Sequence, residues 1–246
     1  NWVDKYCPAW TQPYLKLSRI DRPIGTWLLL IPCWWGSGLA LLSNPSVPSL
    51  SDLWIILSCI FGAILMRGAG CTWNDITDQN IDARVSRTQS RPLPSNQISS
   101  NIAFLWMLIQ MLLSLGILLT YDLVAILLGF LAIIPVVIYP FAKRFTWWPQ
   151  LFLGVTFNWG VLLAFSAHSG TITLSAILLY MSGIFWTLFY DTIYAYQDTQ
   201  DDALIGVKST ARLFGDNPRK WLSGFVVAST SLCILAIIMV PRNFFF

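Results

Sequence analysis

Two clusters of aspartate residues are the feature of this sequence that most directly suggests chemistry. Seven of the twelve acidic residues lie in residues 74–82 and 191–202, each segment at the end of a long apolar run. Carboxylates are costly in or near hydrocarbon, so such clusters are expected to hold something cationic. Basic residues follow each cluster closely. Acidic groups for a divalent metal beside basic groups for an anion predict a diphosphate-binding site.

The first cluster has the spacing of a helix face. Asp75, Asp78 and Asp82 would stack along one side of a helix, with the amide oxygen of Asn74 beside them. Three carboxylates on one stripe repel one another, and the stripe is destabilising without a counter-ion. Mg²⁺ suits the stripe because it takes oxygen ligands and usually keeps water or phosphate oxygens in its octahedron.

The second cluster repeats this geometry further along the chain. Asp191, Asp198 and Asp202 would again share one helical face, with Asp201 alongside. Two facing stripes would hold two or more Mg²⁺ ions around one diphosphate. The predicted metal ligands are Asn74, Asp75, Asp78, Asp82, Asp198, Asp201 and Asp202. The predicted catalytic residues among them are Asp75, Asp78, Asp198 and Asp202.

Five residues near the clusters could bind the diphosphate itself. Arg87 and Arg91 are one turn apart, and the arginine fork matches phosphate oxygens bidentately. Tyr139 and Lys143 lie four residues apart at the end of an apolar span, and Lys208 would add a point charge. The alternative for any one of these residues is a solvated charge in a juxtamembrane loop.

Four other polar residues lie outside the two clusters and are interpreted separately. Arg22 and Arg67 lie at the edges of apolar spans, where they could snorkel to the interface or bind the carboxylate of a small aromatic acid. Asn158 lies within a span and is interpreted as a packing residue rather than a cavity residue. His168 is the only histidine and is interpreted as a loop residue.

The elements that carry these residues are predicted to be membrane-spanning helices. Charged residues make up 11% of the 246 residues and apolar residues 56%, whereas a soluble domain is about 25% charged. Mean hydropathy is +0.62. We predict an all-α, polytopic bundle of seven spans, each near the roughly 20 residues that cross a bilayer. The spans are residues 24–42, 53–73, 100–120, 123–142, 145–167, 169–190 and 221–241.

The distribution of basic residues predicts an orientation. The loops near 43–52, 121–122 and 167–170 contain no Lys or Arg, so the acidic clusters are placed on the cytoplasm-equivalent side. In a mitochondrial protein this side is the matrix. The same bias accounts for the net charge of +3, so no nucleic-acid partner is predicted. The sequence has no phosphate loop and no nucleophile elbow, which argues against nucleotide hydrolysis and serine esterase chemistry.

Several of these motifs resemble those of UbiA-type intramembrane prenyltransferases. The resemblance covers residues 13–224 and extends to the 4-hydroxybenzoate branch of the family through the segments that begin at Arg22 and Arg67. It rests on the motifs Asn74-x3-Asp78-x3-Asp82, Arg87-Thr-x2-Arg91, Tyr139-x3-Lys143, Asp191-x6-Asp198-x3-Asp202 and Gly206-Val-Lys208.

The resemblance implies a fold of nine spans around a central cavity that opens laterally to lipid. The seven spans here would then form a single transmembrane domain over residues 1–246, with two C-terminal helices missing. Separately, the start at Asn1 rather than Met predicts that an upstream segment has been cut off or omitted.

The resemblance also implies an activity. The family would transfer a polyprenyl chain from polyprenyl diphosphate to the ring carbon of 4-hydroxybenzoate meta to its carboxylate, with Mg²⁺ as cofactor. This is an early step of ubiquinone synthesis in the mitochondrial inner membrane, with the active-site loops on the matrix side. The implied partners are the two substrates and the lipid bilayer, and an association with other quinone-synthesis enzymes stays open.

Three alternatives remain at this point. A related prenyltransferase could use another acceptor, such as homogentisate, a naphthoate or haem. The chain could instead be a cation carrier, although carriers normally place their charges near the membrane midplane. The chain could also be an inactive, truncated product.

Overall fold

The computed structural model describes residues 1–44, 49–84, 88–199, 203 and 206–240. Throughout those ranges the regular elements are helices, which confirms the predicted all-α fold. The helices are α1 (Trp2–Tyr6), α2 (Gln12–Leu17), α3 (Ile24–Ser43), α4 (Leu50–Asp82), α5 (Ser100–Leu118), α6 (Leu123–Phe145), α7 (Pro149–Ser169), α8 (Leu174–Ala195), α9 (Thr210–Phe214) and α10 (Arg219–Ile238). A 3₁₀ turn, Tyr196–Asp198, follows α8 directly.

Within the described ranges, seven helices are long and apolar enough to cross a membrane. They are α3 to α8 and α10, in agreement with the seven predicted spans. Helices suit this role because they satisfy all backbone hydrogen bonds internally, as hydrocarbon requires. The largest difference from the prediction is α4, which runs for 33 residues and continues past the apolar run through the first acidic cluster. The fifth span begins at Pro149, a favoured first helical residue, rather than at residue 145.

The chain forms two compact units whose boundary passes through α3 and α4. The first unit comprises Asn1–Leu30 and Ile60–Thr120, and the second comprises Ile31–Cys59 and Tyr121–Phe246. The first acidic cluster belongs to the first unit, and Asp191 belongs to the second. A single domain over the whole chain stays a prediction.

The core of the first unit fastens the N-terminal segment to α5. Leu17, Leu93, Ile98 and Ala103 are buried together, and Trp106 packs against them. These contacts hold the end of α2 and the segment before α5 against the part of α4 that carries the acidic cluster, through Ile76.

In the second unit α8 packs against α7 and α10, and α6 packs against α7. The buried side chains at these contacts are a mixture of large and small residues, which lets the helices approach closely. Gly36 of α3 is one such contact, because a Cβ there would overlap the backbone carbonyl of Val161 in α7.

Polar side chains also join the helices of the second unit. Asn158 donates hydrogen bonds to the Gly154 carbonyl oxygen at 2.9 Å and to Thr187 Oγ1 at 2.8 Å, which confirms its interpretation as a packing residue. The interpretation of His168 as a loop residue is wrong. It lies in the last turn of α7, and its Nδ1 is 2.7 Å from Asp52 Oδ1. Asp52, in the first turn of α4, is the polar partner that allows the His168 imidazole to be buried.

Substitution of two glycines in α3 should separate close packing from helix propensity. Gly36→Ala is expected to destabilise the protein by about 1–3 kcal/mol, because the Val161 backbone cannot move aside as a flexible side chain would. The control is Gly38→Ala, where a Cβ meets no atom and the gain in helix propensity is roughly 1 kcal/mol. Thermal unfolding in detergent measures both, and equal melting temperatures for the two variants would contradict the predicted contact.

Candidate active site

The continuation of α4 past its apolar run positions the first acidic cluster. Asp75 and Asp78 are 0% and 1% exposed, and Asp82 is 7% exposed. The predicted helix spacing is confirmed, since α4 extends through Asp82. Asn74 is half-buried on the same helix, and its carbonyl oxygen accepts a hydrogen bond from Thr77. Three carboxylates are therefore withdrawn from solvent over two turns.

Arg19, which is not among the site residues predicted from the sequence, provides positive charge at the start of this stripe. Its Nη2 donates to Asp75 Oδ1 at 2.6 Å. Arg19 lies in the turn after α2 and has a φ of 54°. The pair joins residues 56 positions apart in the chain, and no spacing rule connects them. The only sequence feature that could have pointed to Arg19 is its position shortly before the first apolar span. Other basic residues share that position, so this feature does not single out Arg19.

Arg91 contacts two of the carboxylates at once. Its Nη1 donates to Asp82 Oδ2 at 2.6 Å and to Asp75 Oδ1 at 3.3 Å. Thr88 supports the same segment by donating to the Asp82 carbonyl oxygen. Arg91 was predicted to bind a diphosphate, and here it is the counter-ion that reduces the repulsion along the stripe. Its predicted partner Arg87 lies outside the described residues.

The oxygen atoms of this cluster suit a hard cation such as Mg²⁺. Asp75 Oδ2 is buried, and no hydrogen-bond donor reaches it in the part of the chain that the structure describes. Over the same ranges no three aspartate, cysteine or histidine side chains are close enough to form a metal site alone. Mg²⁺ is usually bound by one or two carboxylates together with water and phosphate oxygens, so the donor set fits that ion.

In the second unit the end of α8 is tied to the segment around α9. Thr192 Oγ1 and Thr210 Oγ1 are 2.7 Å apart, and the Tyr196 hydroxyl donates to the Gly215 carbonyl oxygen at 2.8 Å. Asp191 lies in the last turn of α8, half-buried. Asp198 ends the 3₁₀ turn, but its side chain, Asp201 and Asp202 lie outside what the structure describes.

Two of the predicted diphosphate-binding residues are brought together beside α6. The Lys208 backbone N–H donates to the Lys143 carbonyl oxygen at 3.0 Å, so the chain before α9 lies against the end of α6. The Lys208 ammonium lies 5.9 Å from the ring centre of Trp147, and the Arg212 guanidinium lies 5.4 Å from the same ring. Tyr139 is one turn before Lys143 on α6. This end of the second unit therefore concentrates positive charge.

The two candidate carboxylate-binding arginines have different surroundings. Arg67 is half-buried on α4, two turns before Asp75, and its guanidinium lies directly against Gly25 of α3. A Cβ at residue 25 would overlap that guanidinium. The Arg22 side chain is 78% exposed, with Nε 3.7 Å from Asp21 Oδ2. The structure thus places Arg67 near the acidic stripe and leaves Arg22 at the surface.

Removal of Arg91 should make the protein depend on a divalent cation for stability. In metal-free buffer Arg91→Ala is expected to lose about 1.5–3 kcal/mol, the range for hydrogen bonds to charged groups. Added Mg²⁺ should raise the melting temperature of this variant more than that of the wild type, because the ion replaces the missing positive charge.

The matched control for this experiment is Arg219→Ala, which removes an exposed arginine at the start of α10. Its melting temperature should respond to Mg²⁺ as the wild type does. An equal response of the Arg91→Ala variant would contradict the assignment of Arg91 as counter-ion of a metal site.

Comparison with proteins of known structure shows the same fold. A UbiA homolog from Archaeoglobus fulgidus bound to GPP and Mg²⁺ superimposes with a TM-score of 0.73 at 21% identity, over 94% of this chain and 80% of that one. The apo structure of a UbiA homolog from Aeropyrum pernix gives a TM-score of 0.62 at 25% identity, over 86% of this chain and 76% of that one.

Comparison with curated sequences gives higher identity. The mitochondrial 4-hydroxybenzoate polyprenyltransferase of Mus musculus is 51% identical over 93% of this chain and 60% of its own length. The enzymes of the same name from Homo sapiens and Arabidopsis thaliana are 52% and 49% identical, over 90% and 96% of this chain and 59% and 57% of their own lengths. The chain thus spans about three fifths of the length of these relatives. The model of the UbiA prenyltransferase family matches residues 29–246, and the chain therefore belongs to that family.

Proposed function

We propose that the chain transfers a polyprenyl group from its diphosphate to the ring carbon of 4-hydroxybenzoate meta to the carboxylate, an early step of ubiquinone synthesis. The observation that carries this proposal is the buried carboxylate stripe of α4, which has an unbonded oxygen at Asp75 Oδ2 among the described atoms and arginines beside it. The names of the relatives supply the acceptor. Membership of a prenyltransferase family argues against a cation carrier.

Binding of the donor would use acidic and basic groups together. Bound Mg²⁺ would neutralise negative charge that builds up on the departing diphosphate. The proposed ligands are Asn74, Asp75, Asp78 and Asp82 of α4, together with Asp198, Asp201 and Asp202. Arg87, Arg91, Tyr139, Lys143 and Lys208 are the proposed partners of the diphosphate oxygens. Charged and polar donors placed where negative charge develops lower the barrier to departure of the leaving group.

The chemical step would be an electrophilic substitution on the aromatic ring. The allylic carbon–oxygen bond breaks with its electrons passing to the diphosphate, and a ring carbon ortho to the phenol forms the new carbon–carbon bond. The ring then loses a proton and regains aromaticity. Apolar surroundings exclude water and thereby limit hydrolysis of the allylic cation.

Arg67 is the stronger candidate for binding the acceptor carboxylate. Its guanidinium is held against Gly25, and it precedes Asp75 by two turns on the same face of α4. A guanidinium fixed there would orient a benzoate relative to a diphosphate bound at the acidic stripe. Arg22 is the second candidate, and its exposure makes it a weaker one.

The proposed location is the mitochondrial inner membrane, with the acidic clusters on the matrix side. The relatives are named as mitochondrial enzymes, and seven described helices are suited to crossing a membrane. The loops without lysine or arginine would then face the opposite side.

Loss of one proposed metal ligand should strongly reduce turnover. Asp78→Asn keeps the side-chain shape and removes the charge, so we expect a fall in kcat of about 10²-fold or more. The assay uses membranes that contain the chain, Mg²⁺, a short prenyl diphosphate and radiolabelled 4-hydroxybenzoate, with EDTA as the metal-free arm.

Asp216→Asn, at an exposed residue between α9 and α10, is the matched control and should keep wild-type turnover. Full activity of the Asp78→Asn variant would overturn the metal assignment. No product from this chain and none from a version extended to the length of its relatives would overturn the choice of acceptor.

Substitution of Arg67 or of its neighbour Gly25 should affect the acceptor and spare the donor. Arg67→Ala is expected to raise KM for 4-hydroxybenzoate by about 10–100-fold, the equivalent of one hydrogen bond to a charged group. Gly25→Ala should act in the same direction because its methyl group displaces the guanidinium. KM for the prenyl diphosphate should stay unchanged in both variants.

Gly38→Ala is again the control for the glycine substitution, since its Cβ meets open space. A panel of acceptors with homogentisate, a naphthoate and haem tests the alternatives. Turnover of one of these acceptors in preference to 4-hydroxybenzoate would contradict the choice of acceptor. An unchanged KM for 4-hydroxybenzoate in the Arg67→Ala variant would show that Arg67 has another role.

A further inference from the structure

Arg19 lies in a turn that few residues other than glycine adopt readily. Its φ of 54° is in the left-handed region, where an L side chain is strained. The turn is closed by backbone hydrogen bonds from Arg19 N–H to the Lys16 carbonyl oxygen and from Ile20 N–H to the Leu15 carbonyl oxygen. Strain of this kind persists where the surrounding structure fixes the residue, and it is common at functional sites.

The residue before Arg19 is held by a polar network to α5. Trp106 Nε1 donates to Ser18 Oγ at 2.8 Å, and Ser18 Oγ donates to Gln110 Oε1 at 3.1 Å. Gln110 is 4% exposed and packs on Gly68 of α4, where a Cβ would overlap its amide. The direction in which Arg19 leaves the backbone is therefore set by contacts with α4 and α5.

The Arg19 side chain makes two directional contacts. Nη2 donates to Asp75 Oδ1 at 2.6 Å, and Nη1 donates to the Lys16 carbonyl oxygen at 3.2 Å. The side chain is 15% exposed and that of Asp75 is 0% exposed. With Oδ1 held from this side, the other oxygen of Asp75 is fixed in a buried position where no described residue bonds to it.

Arg19 and Arg91 differ in the number of aspartates of the stripe that each contacts. Arg91 bridges Asp75 and Asp82, and its side chain is 28% exposed. Arg19 pairs with Asp75 alone, and like Arg91 it contacts Oδ1 rather than the unbonded oxygen. A cation that approached Asp75 Oδ2 would therefore leave the Arg19 contact intact.

We infer that Arg19 is a positioning residue that orients Asp75 as a metal ligand. This inference rests on the proposed function, because it deepens the account of the same metal site. Ligating carboxylates are themselves hydrogen-bonded by outer residues, and loss of such a residue typically reduces metal affinity by about 10–100-fold. A pair with a structural role alone would be expected to satisfy both oxygens of a buried carboxylate.

The test measures Mn²⁺ binding to the full chain in detergent, without either substrate. Electron paramagnetic resonance detects the bound ion. Arg19→Gln is expected to weaken Mn²⁺ binding by about 10–100-fold. Arg19→Lys keeps the charge, but one nitrogen cannot make both contacts, so its affinity should fall between those of the wild type and Arg19→Gln. Lys16→Gln is the matched control, since it breaks a surface pair of 2.5 Å with Asp4 and should bind Mn²⁺ as the wild type does.

Mn²⁺ affinity of folded protein, measured beside the melting temperature, separates positioning from structural support. Arg19→Gln with wild-type affinity would overturn the inference even if its melting temperature fell. If Arg19→Gln does not fold, an affinity of folded Arg19→Lys within about twofold of the wild type overturns it. A wild type that binds no Mn²⁺ would overturn the metal site and this inference together. Failure of the acceptor assignment is distinct, because it would leave Mn²⁺ binding and its dependence on Arg19 unchanged.

Discussion

The buried ion pair between Arg19 and Asp75 constrains how the elements of the first unit are arranged. The Asp75 carboxylate is 0% exposed, and a charge so buried is tolerated when an opposite charge lies close to it. Removal of either partner would leave the other as an uncompensated buried charge. Asp75 forms ion pairs with two arginines, and one of them, Arg91, also pairs with Asp82. The arrangement of α2, the segment before α5 and the end of α4 can be understood as the means of bringing those guanidinium groups to one place.

The second unit is built on a different basis. Helices in lipid gain little from the hydrophobic effect when they associate, so close packing and hydrogen bonds between helices matter more. Gly36 lets α3 approach the α7 backbone, and Asn158 joins α7 to α8 through Thr187. Ser182 and Ser229 form a similar link between α8 and α10, with Ser182 Oγ donating to the Ser229 carbonyl oxygen at 2.8 Å. None of these contacts needs a charged group.

The sequence was sufficient to predict the all-α fold and the seven spans, because both follow from patterns of consecutive residues. Long runs without charge predict spans, and the spacing of Asp75, Asp78 and Asp82 predicts a helix face, since both are properties of consecutive residues. The pairing of Arg19 with Asp75 depends on a left-handed turn and on contacts with α5, which no local pattern encodes. The contact of Gly25 with Arg67 is equally non-local, and a glycine at the start of a span gives no hint of it.

The contact between His168 and Asp52 gives the second unit a built-in spectroscopic reporter. Asp52 lies in the first turn of α4 and caps it by accepting from the Ser49 backbone N–H at 2.8 Å, and the same carboxylate contacts the imidazole at the end of α7. The chain has one histidine, so isotopic labelling of imidazole nitrogen would yield signals from this contact alone. Asp52 and Asp82 lie at opposite ends of α4, and the labelled ring would therefore observe that helix from the end remote from the carboxylate stripe.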